Sequence, residues 1–223
     1  MNTQRKKTPG AALMDLLFPR RCPFCGKVTG GGALLCAACA DALPVTGEHP
    51  VVEGSFGRCA APLYYERQAR EALLRFKFRG GLGSTACFGE LLADCAAACF
   101  PGEFDTVSWV PVSDRRRRER GFDQSCELCR AACRHWGVKP TPTLRKTVHT
   151  KPQSALTGPE ERRANVLGVY EAIAPNVWGR KILLVDDVLT TGATMAECAR
   201  VLRESGAAEV VCLTLARVWK GNG

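Results

Sequence analysis

Apolar positions along this chain change their spacing near residue 62. Before that point the sequence is rich in Cys, Gly and Pro and shows little periodicity; after it, helical and strand-like patterns alternate. Tyr64 to Phe78 predicts an amphipathic helix with Leu73, Leu74 and Phe78 among its apolar positions, and Glu90 to Phe100 predicts another. Asp105 to Val112 predicts a strand that ends at a loop, and Phe122 to Trp136 a helix. The segment from Lys139 to Glu160, with four prolines, reads as loop, and Val166 to Ile173 as a strand.

Ile182 to Val185 is a short apolar run bounded by charged pairs, the pattern of a parallel strand buried on both faces. Met195 to Glu204 follows as a helix with Met195, Cys198, Ala199 and Leu202 on one face, closed by Gly206. Val210 to Leu215 returns as a second buried strand. Strand, loop, helix and strand make a βαβ unit. The predicted fold class is α/β, a mainly parallel sheet flanked by helices, with residues 1–61 as a small cysteine-rich module and 62–223 as the main domain.

Length and composition narrow this picture. With 223 residues there is room for one sizeable α/β domain and an appendage. No apolar run is long enough to cross a bilayer, so membrane insertion is not expected. Arg5-Lys6-Lys7 followed by Ala11 to Phe18 has the outline of a signal peptide. The apolar stretch is broken by Asp15 and runs into Arg20-Arg21 without a small-residue cleavage site, which predicts a short amphipathic helix instead. Thirteen cysteines, an odd number, suit a reducing cytoplasm in which they serve as metal ligands or small core residues. A formal charge of +9 favours anionic partners, either the phosphates of a small substrate or nucleic acid.

The strongest local chemistry lies after the first buried strand. Asp186 and Asp187 stand at the carboxyl edge of the sheet, where open α/β folds bind ligands. Val188 and Leu189 lead to Thr190, Thr191, Gly192, Ala193 and Thr194 at the mouth of a helix. Small hydroxylated residues and a glycine let backbone N–H groups approach a phosphate, and the helix N-terminus favours negative charge. Two carboxylates would repel that phosphate, so they fit best as acceptors for the hydroxyls of an attached ribose. The competing reading is a capped helix after a solvated acidic turn. No G-x-x-x-x-G-K and no G-x-G-x-x-G follows a strand. Val185 to Thr194 resembles the signature of type I phosphoribosyltransferases that binds 5-phosphoribosyl-1-pyrophosphate (PRPP). The resemblance implies that Asp186 and Asp187, the expected catalytic pair, contact the ribose hydroxyls while Thr190 to Thr194 wrap the 5-phosphate.

Near the N-terminus, Cys22-Pro-Phe-Cys25 and Cys36-Ala-Ala-Cys39 form two C-x-x-C knuckles ten residues apart. Each knuckle can direct two thiolates at one tetrahedral zinc ion, and four thiolates leave no open position for catalysis, so a structural role is expected. Free thiols or a redox dithiol are the alternatives. Cys59 is not expected to join them. Cys126, Cys129 and Cys133 have core spacing on a predicted helix, with a second metal as the alternative, and Cys87, Cys95, Cys99, Cys198 and Cys212 read as packing residues.

Val110-Pro111-Val112-Ser113-Asp114 precedes four consecutive arginines, Arg115 to Arg118, then Glu119 and Arg120. Such a run is either a solvated surface or, following a strand end on the same sheet edge as the acidic loop, a set of forks for pyrophosphate. Lys146, Lys151, Gln153, Arg162 and Arg163 belong to a basic, proline-containing stretch that reads as a mobile lid.

Taken in order, the zinc knuckles, Tyr64-Tyr65-Glu66, Phe76-Lys77-Phe78, Arg118-Glu119-Arg120-Gly121-Phe122-Asp123-Gln124, Lys151 to Leu156, Glu161 to Val166 and the Asp186 loop resemble the ComF family. These are competence-associated, phosphoribosyltransferase-like proteins of bacteria, and the resemblance extends from Cys22 to Arg217. It implies a type I phosphoribosyltransferase core behind a zinc-ribbon-like module. It also implies a pyrophosphate loop at Val110 to Ser113 (Pro111, Val112 and Ser113, with Arg115 and Arg120 beyond), a flexible loop from Lys146 to Arg163, structural Zn²⁺, and Mg²⁺ arriving with PRPP. The family link implies a role in nucleotide metabolism or DNA uptake, with single-stranded DNA or a helicase as a partner in a non-catalytic alternative. The chain departs from the family pattern in two places: Asp123 stands where Asn is usual, and Ser113-Asp114 replaces a more common Pro-Leu.

Overall fold

A computed structural model describes residues 19–30, 32–78, 82–147 and 166–219. The helix expected within residues 11–18 and the lid positions Lys151, Gln153, Arg162 and Arg163 lie outside the described residues. In chain order the elements are α1 (Ala37–Ala42), β1 (Val51–Gly54), β2 (Gly57–Ala60), β3 (Leu63–Tyr64), α2 (Arg67–Phe78), α3 (Thr85–Cys99), β4 (Thr106–Trp109), α4 (Asp114–Arg120), α5 (Gln124–Trp136), β5 (Leu144–Lys146), β6 (Tyr170–Ala172), β7 (Lys181–Leu189), α6 (Ala193–Glu204) and β8 (Glu209–Arg217).

The main sheet has the order β1-β2-β8-β7-β4, with β3 also paired to β8. β4, β7 and β8 are mutually parallel, β2 and β3 run parallel to β8, and only β1 is antiparallel to its neighbour. Ile182 to Val185 are fully buried, as both faces of the strand are covered. Leu183 and Val185 face a cluster with Leu73 and Phe76 of α2, Phe88 of α3 and Leu128 of α5. Ile182 and Leu184 face the other cluster, with Met195, Cys198 and Leu202 of α6. The period of two along β7 thus sets one layer of helices against each face of the sheet.

Several boundaries differ from the sequence reading, each for a tertiary reason. The helix expected from Tyr64 begins at Arg67, because Leu63 and Tyr64 pair with Ala216 and Arg217 of β8. Phe76 takes the core position and Phe78 is 65% exposed. Helix α3 begins at Thr85 rather than Glu90, and the strand expected over Val166 to Ile173 contracts to Tyr170–Ala172, which pairs antiparallel with β5 inside the expected loop. β7 does not stop at Val185 but continues through both acids, with Asp186 opposite Thr214 and Leu189 opposite Arg217. The β1–β2 hairpin lies before residue 62 yet extends the main sheet beside β8, so the change near that residue is one of composition.

Helices α3 and α5 approach closely at Gly89, where a Cβ would lie 2.6 Å from the Ala131 carbonyl carbon. Cys126, Cys129 and Cys133 are buried on α5, and Cys59 is buried opposite Cys212 in the sheet, away from the N-terminal quartet. Among the described residues no helix is long and apolar enough to cross a membrane.

Candidate functional site

The carboxyl ends of β4 and β7 open into a cavity of about 450 Å³. Its floor is the end of β7 and the turn into α6, from Asp186 and Asp187 through Val188 to Thr190, Thr191, Gly192, Ala193 and Thr194. Gly192 adopts a left-handed conformation (φ +82°), and a Cβ there would meet the Phe56 ring at 2.6 Å, so both backbone and space call for glycine. The first turn of α6, whose N–H groups have no earlier helical carbonyl to bond, faces the same space.

Asp186 is held from two sides: Ser125 Oγ donates to its Oδ1 at 2.7 Å, and the Asp187 N–H donates to the same oxygen at 2.9 Å. Burial, reinforced by the adjacent Asp187 carboxylate, raises its pKa from 3.8 to about 7. Asp187 instead meets Lys77 Nζ of α2 at 2.8 Å. Burial opposes the Lys77 charge, but Asp187 outweighs it and the lysine pKa is raised.

Cationic groups line the same cavity. The arginine run folds as α4, so Arg116 and Arg120, one turn apart, share the face that lines the cavity. Burial, then the neighbouring Arg120, lowers the Arg116 pKa. Arg120 donates to Gln124 Oε1 at 2.7 Å and lies over the Phe78 ring at 5.1 Å. Because a guanidinium only donates, the Gln124 amide nitrogen faces the other way. That nitrogen is buried on the cavity wall without a hydrogen-bond partner among the described residues. Lys146 lies 5.0 Å from the Tyr170 ring centroid and 3.3 Å from the Tyr170 hydroxyl, and burial together with Arg116 lowers its pKa to about 8.

The loop between β4 and α4 brings Pro111 and Val112 to the cavity. Asp123, the residue that departs from the family pattern, organises this loop. Its carboxylate accepts from the Val112 N–H at 3.1 Å and from the Cys126 N–H at 3.0 Å, capping α5. Burial raises its pKa against those bonds. Both oxygens bond backbone N–H groups of the surrounding loop and helix.

The fold therefore gathers Asp186, Asp187, Val188, Thr190 to Thr194, Pro111, Val112, Arg120 and Lys146 around one space. Ser113 is instead the cap of α4, accepting from the Arg116 N–H at 3.4 Å, and Arg115 points away and pairs with Glu119 at 2.8 Å. Of the other lining residues, Arg116 belongs to the arginine run read as either solvated surface or pyrophosphate forks. Tyr65, Lys77 and Gln124 lie in the segments that carry the family resemblance but were given no role, and Ser125 was not singled out from the sequence. A helical reading of the arginine run would have found Arg116 from its i, i+4 relation to Arg120.

At the N-terminus the sulfurs of Cys22, Cys25, Cys36 and Cys39 all lie within 4.8 Å of one another, a donor set that fits one tetrahedral Zn²⁺. Burial disfavours the Cys22 thiolate, but backbone N–H groups of Cys36, Cys25 and Phe24 outweigh it and bring its pKa to about 6. Burial raises the pKa of Cys39. The first knuckle is tied to α2 by Arg75, which donates to the Pro23 and Phe24 carbonyls at 2.8 and 2.7 Å.

Fold and site together define a phosphoribosyltransferase-type domain joined to a double zinc ribbon. Residues 13–71 match the double zinc ribbon domain and residues 140–222 the phosphoribosyl transferase domain. The DNA utilization protein YhgH of Escherichia coli (strain K12) is 30% identical over 202 residues, covering 88% of this chain and 83% of the relative. Competence protein ComFC of Bacillus subtilis (strain 168) is 30% identical over 154 residues, covering 69% of this chain and 61% of the relative. Competence protein F of Haemophilus influenzae is 33% identical over 111 residues, 48% of each chain. The chain belongs to the ComF family.

Proposed function

We propose that this protein binds Mg²⁺-PRPP in the β4–β7 cavity and acts as a phosphoribosyltransferase-like protein in the cytoplasm, in nucleotide metabolism or in the handling of incoming DNA. The observation that supports this most is the presence of acidic and cationic groups around one space. The acidic pair and the α6 N-terminus line it together with Arg116, Arg120, Lys146 and the Gln124 amide nitrogen, which has no hydrogen-bond partner among the described residues. The Thr190 to Thr194 turn holds the 5-phosphate, and Asp186 and Asp187 accept from the ribose hydroxyls. Arg116, Arg120 and the Gln124 amide hold the pyrophosphate. Lys146 faces the same space and adds a further cation toward the pyrophosphate.

Pyrophosphate leaves the anomeric carbon as a nitrogen nucleophile adds. Positive charge develops on the ribose, which the acidic pair stabilises once water is excluded. Arg116 and Arg120 hold the leaving pyrophosphate, and Mg²⁺ arriving with PRPP would supply further neutralisation of its charge. Zn²⁺ at Cys22, Cys25, Cys36 and Cys39 supports the fold.

Thermal denaturation with each ligand part checks the joined subsites. Mg²⁺-PRPP at about 100 times its Kd should stabilise the protein by about 2.7 kcal/mol, more than ribose 5-phosphate and pyrophosphate added together. Equal shifts from the separate parts would contradict it.

A second reading, a DNA-handling factor that engages single-stranded DNA or a helicase, is favoured by one feature. Phe78 is 65% exposed with Arg120 over its ring, an aromatic and a cation placed together at the cavity rim. Phe122, nearer the arginines in sequence, is packed on Phe76 instead, with ring centroids 5.5 Å apart. Binding of labelled oligothymidylate that falls steeply with salt and is lost in Phe78→Ala supports this reading.

A further inference from the structure

Adjacent carboxylates create an electrostatic problem for any ligand with a phosphate at each end, because both acids repel both termini. A divalent cation at the acidic pair would solve it. In this protein a side chain already stands there. Lys77 Nζ lies 2.8 Å from Asp187 Oδ2, and only 19% and 15% of the two side chains are exposed, so water screens the pair weakly.

We propose that Lys77 is the resident counter-ion of the acidic pair, a positioning residue that replaces a second divalent cation at the ribose subsite. The inference rests on the PRPP reading above and extends it from which residues touch the ligand to how many metal ions the site requires. Three observations carry it. Lys77 comes from α2 rather than from the sheet that supplies the acids, so the pair closes the cavity from a second element. It lies in the last turn of α2, where the helix dipole favours a cation. Arg75, two residues earlier, is fixed by the Pro23 and Phe24 carbonyls, which limits how far the end of α2 can withdraw from Asp187.

The charge also fixes which step is helped. An ammonium beside Asp187 weakens what that carboxylate offers to a developing positive charge on the ribose. Lys77 therefore acts on ligand binding and on orientation of Asp187, and not on stabilisation of the transition state. One Mg²⁺, the ion bound to the pyrophosphate, then suffices.

The test is calorimetric titration of PRPP at a series of Mg²⁺ concentrations, into the full-length protein and three variants. Lys77→Met leaves Asp187 uncompensated, and the Mg²⁺ concentration giving half-maximal binding should rise about tenfold or more. Lys77→Arg, which keeps the charge, should stay near the wild-type value. Lys77→Met/Asp187→Asn, which removes both charges, should bind more weakly at every Mg²⁺ concentration but return to the wild-type Mg²⁺ dependence. Zinc content and circular dichroism establish that each variant is folded; if Lys77→Met alone is not, Lys77→Arg and the double variant decide the question. An unchanged Mg²⁺ dependence in Lys77→Met, loss of the wild-type dependence in Lys77→Arg, or a double variant shifted away from wild type overturns the proposal. A wild-type protein that binds no PRPP at any Mg²⁺ concentration overturns the PRPP reading itself.

Discussion

Asp186 is an acid whose burial raises its pKa to about 7, and this has two consequences of opposite sign. Its pKa is raised in the folded state to about 7, so between about pH 4 and 7 the folded chain binds more protons here than the unfolded chain. Its contribution to stability is therefore complete below the ordinary carboxylate range and is lost as pH rises through 7. Asp186→Asn should raise the Tm at pH 8 more than at pH 5.5, and a pH-independent shift would refute the raised pKa. Ligand binding runs the other way on this limb, because ribose hydroxyls donate best to the ionised form. Lys146, with a pKa lowered to about 8, loses its charge above that value. PRPP affinity should accordingly peak between about pH 7 and 8, and Asp186→Asn should flatten the acid limb. A monotonic profile in the wild type would contradict this. The sequence marked Asp186, Asp187 and the threonine turn because they are contiguous and their types alone limit what they can hold. Lys77 and Ser125 escaped it because each reaches Asp187 or Asp186 across more than sixty residues of chain, and nothing in Phe76-Lys77-Phe78 says which way the lysine faces.

Secondary-structure elements show where local pattern loses to pairing. The short continuous apolar run from Ile182 to Val185 identified β7 correctly, but its extension through two aspartates came from β8, whose backbone continues to pair as far as Arg217. The same strand takes Leu63 and Tyr64 away from α2. Helix α4 was read as a charge run because all its residues are polar and none is buried; what makes it a helix is the Ser113 cap and the Gly121 C-cap. Asp123 is the more consequential cap, since it also holds the Val112 N–H. Asp123→Ala should cost about 1 kcal/mol of stability by denaturant titration and also weaken PRPP binding through the Val110 to Ser113 loop. A stability loss with unchanged affinity would show that this loop does not shape the ligand site.

At the scale of the whole molecule the zinc ribbon is fastened to the wall of the cavity. Phe24 of the first knuckle packs edge-on to Phe88, which packs on Phe76 of α2, and Arg75 of the same helix holds the knuckle backbone. Metal analysis should find one zinc per chain in the wild type and none in Cys22→Ser/Cys36→Ser, whose Tm and PRPP affinity should both fall. Retained zinc would refute the four-cysteine site. The ribbon's ligands were legible from two C-x-x-C spacings, whereas its attachment to α2 rests on contacts between distant segments. The central claim, that one cavity lined by acidic and cationic groups holds PRPP, is met most directly by calorimetric titration of Mg²⁺-PRPP. Wild-type protein and the Asp186→Asn/Asp187→Asn variant are compared at pH 7.5. Saturable one-to-one binding by the wild type that is lost in the folded variant is the predicted result. Absence of binding in the wild type, or equal binding by both proteins, would contradict it.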